Sequence, residues 1–210
     1  AYKIHPGPMN TRKTINMLNL VRNNVGEEYT LMLDPNNSYD YKKALEIGKA
    51  LDENFFYWFE DPIKWDDFES INKLYKEIKT PLAMSDQMQF LFNENKLYAK
   101  QLAPQIMRGT SRKLGITGLF RSSAVAEAFN KRCEIGTGGN IFFNMANIHV
   151  TCSINNCTYY EYWMPTSTAD FATVENIQLE NGNVKPFDKP GLGLTLDNKW
   201  IKENKIFTMK

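Results

Sequence analysis

Phe55-Phe56-Tyr57-Trp58-Phe59-Glu60 is an apolar run of strand length that closes on an acid, and Tyr29-Thr30-Leu31-Met32-Leu33-Asp34 repeats the arrangement 26 residues earlier. Neither run alternates polar with apolar residues, so both read as strands buried on two faces, with the Phe55 to Phe59 aromatics in the core. Residues 81–86, 105–109, 133–136 and 159–163 are weaker members of the series, and the chain opens directly in strand-like sequence at Tyr2. Between them lie helix-period segments. Residues 40–52 carry Ala44, Leu45, Ile47 and Leu51 on one side and lysines on the other, residues 67–78 carry Phe68, Ile71, Leu74, Tyr75 and Ile78 likewise, and residues 117–129 are rich in Ala and Ser. Strand alternating with helix predicts a parallel sheet with helices outside it.

The strand-end residues His5, Asp34, Glu60, Asp86, Gly109, Gly136 and Glu161 follow one another at a mean interval of 26 residues. That is the length a short strand, a helix and two loops require. Seven such units predict an α/β fold of the TIM-type (β/α) barrel kind over residues 1–163, at the lower size limit for a closed barrel. Residues 164–210 are turn-rich. Asn181-Gly182 reads as a hairpin turn, and Pro190-Gly191-Leu192-Gly193 as a tight turn that needs its glycines.

The 210 residues carry 25 Lys and Arg against 24 Asp and Glu, and 42% are hydrophobic. This near-neutral balance gives no electrostatic reason for a nucleic-acid or membrane-surface partner. No apolar run approaches a membrane span and no signal layout is present, so the expectation is a cytoplasmic protein. Composition leaves a homo-oligomer open. Cys133, Cys152 and Cys157 lack the paired spacing of a zinc site and read as buried free thiols.

In a parallel barrel the strand C-termini share one face, so Asp34, Glu60 and Asp86 would converge. Three adjacent carboxylates raise one another's pKa unless a cation neutralises them, and hard oxygen donors suit Mg²⁺. Any one of these acids could equally be a helix N-cap; three in register point to the metal. Lys3 and His5, two apart on one strand, face the same side beside the acids. There His5 has the chemistry of a general base and Lys3 that of a stabiliser of negative charge. Asn36, Glu161 and Lys113 are candidate substrate contacts, and each is as compatible with a loop contact. His149, inside a helical run at 144–153, reads as a packing or capping histidine.

Tyr2-Lys3-Ile4-His5-Pro6, Leu33-Asp34-Pro35, Trp58-Phe59-Glu60-Asp61-Pro62, Gly115-Ile116-Thr117-Gly118 and Pro190-Gly191-Leu192-Gly193 together resemble the C-terminal barrel of the enolase superfamily. Within it they resemble the mandelate racemase and muconate lactonizing enzyme group, which includes acid-sugar dehydratases. The resemblance implies Mg²⁺-dependent removal of the proton α to a carboxylate with stabilisation of an enediolate. For this chain it implies a lyase dehydrating a sugar acid, or a racemase or isomerase. Asp34, Glu60 and Asp86 fall on the metal positions, the third usually a Glu; Lys3 and His5 fall on the catalytic pair, and Asn36 and Glu161 on substrate-contact positions. The resemblance also implies that the chain starts at the second of eight strands. The first strand and an N-terminal capping domain would then be absent, and residues 164–210 would pack against that domain.

Gly109 and Gly136 occupy the positions of an Asp and a His that move the second proton in racemase-like members. Neither glycine can transfer a proton. Two expectations follow: a Mg²⁺-dependent enzyme working from His5, or a catalytically impaired barrel reused for binding.

Overall fold

The strands form where β-branched, aromatic and long apolar side chains run without a breaker, and the helices form where an Asx or Thr side chain can start them. In the computed structural model, which describes residues 1–86, 99–101, 103–165 and 169–208, the strands are β1 (Tyr2–Ile4), β2 (Leu31–Leu33), β3 (Trp58–Glu60), β4 (Leu82–Met84), β5 (Ile106–Gly109) and β6 (Arg132–Ile135). They make one parallel sheet in the order β1-β2-β3-β4-β5-β6. The described helices are α1 (Thr11–Val25), α2 (Tyr41–Glu53), α3 (Phe68–Glu77), α4 (Ser111–Ala128), α5 (Ile141–Thr151) and α6 (Asn198–Asn204).

Each of these helices opens on a side chain that accepts a hydrogen bond from a first-turn amide: Asn10, Asp40, Asp67, Thr110, Asn140 and Asp197. Such caps are worth about 1 kcal/mol each. Capping after β2 and β3 therefore falls to Asp40 and Asp67. The strand-end acids Asp34 and Glu60 are left for other work.

The pleat sorts the side chains. Leu31, Leu33, Phe59, Leu82, Met84, Met107 and Cys133 face the helices and pack against Leu18, Ile47, Leu51, Ile71 and Leu74. Met32, Trp58, Ala83 and Ile106 form a second cluster on the other face with Tyr57 and Tyr159. Lys3, Glu60 and Arg108, each two residues from or level with a member of that cluster, share its face. Phe55 departs from the core expectation: it is 75% exposed, at φ 52° in the turn after α2. Buried Arg22 organises that turn, donating to the carbonyls of Asn54, Phe55, Gly26 and Tyr29.

The expected seventh strand at 159–163 does not pair as a strand. Where it begins, Glu134 on β6 presents its buried carboxylate, which accepts from the backbone amides of Thr158 and Tyr159 at 3.0 to 3.2 Å. Those amides are then not available for a ladder. Downstream, Glu180 and Asn183 bridge across Asn181-Gly182, both at positive φ, as the hairpin reading requires. Ile177, Val184, Phe187, Leu192 and Leu194 pack against Ile141, Met145 and Ile148 of α5. No described helix is long and apolar enough to cross a membrane.

Candidate functional site

β1, β2 and β3 end side by side, and their register carries Lys3, Asp34 and Glu60 to one point. Lys3 Nζ lies 3.2 Å from Asp34 Oδ2, 3.0 Å from Glu60 Oε2 and 3.1 Å from Glu161 Oε1. On the opposite side of Glu60 stands Arg108, a residue that strand periodicity alone did not single out. Its Nε donates to Glu60 Oε1 at 2.8 Å, its Nη2 pairs with Glu161 Oε2, and its Nη1 donates to the Glu134 carbonyl at 3.2 Å. The guanidinium also lies 5.5 Å from the Trp58 ring centre, and Trp58 Nε1 donates to Glu60 Oε2 at 3.1 Å. One signal for Arg108 was present: a lone cation in an apolar strand, two residues from inward-facing Ile106.

Charge explains the proton affinities. Asp34, Glu60 and Glu161 are three carboxylates against the two cations Lys3 and Arg108. Burial pushes Glu60 up to about 7 despite Arg108 and Lys3, and pushes Asp34 up as well. Burial acts the same way on Glu161, but Lys3 and Arg108 outweigh it and hold that carboxyl down to about 2. Lys3 and Arg108 are both shifted upward, because the carboxylates outweigh burial. The surplus negative charge is thus carried by Asp34 and Glu60, where protonation is cheapest.

Asp86 lies beside Gly136 and acts through its charge on Arg108, as Glu60 and Glu161 do. A side chain added at Gly136 would place its Cβ 2.7 Å from Asp86 Oδ1 and 3.3 Å from Arg108 Nη2, so the bare glycine makes the room these two groups share. Asp86 also opposes, through its charge, the downward shift that burial imposes on Lys113. Among the described residues, no three His, Cys, Asp or Glu side chains are grouped as a metal ion would require.

His5 stands at the edge, its side chain 36% exposed, with Nδ1 3.6 Å from Asp34 Oδ2 and its ring 6.4 Å from that of Trp163. Burial and the Lys3 charge lower its pKa, which favours the neutral imidazole. Asn36, at φ 52°, donates its backbone amide to Asp34 Oδ1 at 2.9 Å and brings Nδ2 to 3.0 Å from His5 Nδ1. With Nδ1 accepting from that amide, the ring proton sits on Nε2. Turning the Asn36 amide over would move the proton to Nδ1, beside Asp34, and give Nε2 the lone pair a base needs.

Comparison with known proteins agrees with this fold. The sequence model of the enolase C-terminal domain-like family matches residues 1–200, and the chain belongs to that family. Arabinonate dehydratase of Saccharolobus solfataricus is 23% identical over 203 residues, covering 97% of this chain and 54% of its own length. The muconate lactonizing enzyme of Pseudomonas putida superposes with a TM-score of 0.88 at 19% identity, covering 96% of this chain and 56% of that one. A racemase from Streptomyces coelicolor A3(2), solved with bound magnesium, superposes with a TM-score of 0.83 at 19% identity, covering 97% and 54%. The chain spans about half the length of the relatives it matches.

Proposed function

We propose that this chain is an enolase-superfamily barrel of the acid-sugar dehydratase kind whose mouth has become an ion network built on the chain's own Lys3 and Arg108, one that no longer dehydrates a sugar acid. The observation that carries this reading is how fully Glu60 is engaged. Its Oε1 takes Arg108 Nε, and its Oε2 takes Lys3 Nζ and Trp58 Nε1. A Mg²⁺ ion demands near-octahedral oxygen coordination at about 2.1 Å, and three of the roughly four lone-pair sites on Glu60 already hold donors. Asp86, the third acid of the expected set, lies with its Oδ1 beside Gly136. As arranged, these residues do not fit the ion. Gly109 and Gly136 also offer no group to protonate a departing hydroxyl.

One observation favours the other reading, in which the enzyme survives with His5 as base and Lys3 as electrostatic support. His5, Asn36 and Asp34 are in mutual contact, and His5 is the exposed member. The two readings part in one experiment. The natural gene product carrying this chain is incubated in deuterated water with Mg²⁺ and a panel of aldonates and aldarates. Proton NMR then follows deuterium uptake at the α-carbon, and a keto-acid assay follows dehydration. Neither is expected. Deuterium uptake that disappears in both His5→Asn and Asp34→Asn would overturn the proposal and establish the enzyme.

A further inference from the structure

We propose that Arg108 is the resident cation of this mouth, a covalently attached guanidinium that stands in for a divalent ion and prevents one from binding. The inference rests on the reading above and adds the residue responsible. Three independent features support it.

The first is position. Arg108 is 2% exposed, and its guanidinium touches two carboxylates contributed by distant parts of the chain, Glu60 on β3 and Glu161 beyond β6. A fork of fixed N–H donors suits two carboxylates in a way one ammonium cannot. The second is room. A side chain at Gly136 would place its Cβ 2.7 Å from Asp86 Oδ1 and 3.3 Å from Arg108 Nη2, so the glycine leaves the Arg108 head uncrowded. The third is charge. A buried guanidinium cannot be deprotonated, so its positive charge is permanent, whereas a bound ion can leave. With Lys3 on Asp34, Glu60 and Glu161, the acids meet cations of the chain itself on both sides.

The test is Mn²⁺ binding, read by electron paramagnetic resonance and by calorimetry with Mg²⁺, on the natural gene product. The wild type is expected to show no saturable site, with Kd above about 10 mM. Arg108→Met should bind one ion with Kd below about 1 mM, a gain of at least tenfold, or about 1.4 kcal/mol. Adding Glu60→Gln to that variant should abolish the binding. Because Arg108→Met leaves two buried acids short of a partner, Arg108→Met/Glu161→Gln, which removes one charge of each sign, is measured beside it, and circular dichroism checks that each is folded. Saturable binding by the wild type that is lost in Glu60→Gln overturns the inference, whatever the variants do. So does the absence of binding in a folded Arg108 variant. The failures are distinguishable: turnover of a sugar acid without Mn²⁺ binding would reject the functional reading alone, and wild-type ion binding without turnover would reject the role of Arg108 and the misfit to the ion while leaving the loss of dehydration standing.

Discussion

Arg108 Nε donates to Glu60 Oε1 at 2.8 Å, with neither side chain more than 1% exposed. The pair ties β5 to β3 across the intervening strand, and Lys3 and Glu161 extend it into a network around the strand ends. Breaking one partner of such a pair costs far more than the pair contributes, because the survivor stays charged and dry.

Arg108→Met should therefore destabilise the chain by about 3 to 5 kcal/mol. Arg108→Met/Glu60→Gln should cost clearly less than the two single changes added together, since the amide carries no stranded charge. Urea unfolding of all four proteins in a double-mutant cycle measures the coupling; additive single effects would show that the two groups are energetically independent.

Two neighbouring glycines should respond differently to a methyl group. At Gly136 the new Cβ meets the tip of Asp86, which can turn aside, so Gly136→Ala should cost under about 1 kcal/mol. At Gly138 it meets Phe143 Cβ at 2.5 Å and the backbone of Phe143 and Asn144 at 2.6 and 2.7 Å. The first turn of α5 cannot give way so easily, and Gly138→Ala should cost about 2 kcal/mol or more. Thermal unfolding of the two variants ranks them, and equal losses would contradict the contacts.

Glu175 couples the C-terminal segment to pH. Hydrogen bonds from Lys189 and from the amide and hydroxyl of Thr195 hold its carboxyl down to about 2, from an ordinary 4.5. A depressed folded-state value means the stabilisation is complete above pH 4.5 and is lost as the pH falls towards 2. The Thr195 amide resonance should titrate in that acid range, and Glu175→Gln should flatten the titration. A midpoint near 4.5 in the wild type would contradict the contacts.

The thiols should divide by burial. The expectation of three buried thiols holds for Cys133, whose pKa burial pushes up to about 12, while Cys157 is half-buried and raised to about 11, and Cys152 is exposed. Brief alkylation with iodoacetamide should label Cys152 first, and all three should react in denaturant. Early labelling of Cys133 in the native protein, read by peptide mass, would contradict its burial.

Much of this was legible in the chain itself. The double-sided apolar runs place β2 and β3, the 3.6-residue periods place α2 and α3, and Asn181-Gly182 places its turn, because each signal is local. The spacing of Asp34 and Glu60 was enough to bring them together beside Lys3, since parallel strands of equal length end on one face. Phe55 escaped because a one-residue shift at a turn changes which side of the chain a ring faces. The pairing of 159–163 escaped because it depends on where the Glu134 carboxylate reaches.

Sequence by itself determined the alternation of strand and helix, and the acids and cation that gather at the strand ends. Only the tertiary structure decided which charges neutralise which. Spacing places Glu60 at a strand end, but does not say that the Arg108 guanidinium grips both Glu60 and Glu161 there. That choice is made by volume and Coulomb energy among residues from separate strands and loops, and those quantities exist only once the chain has folded.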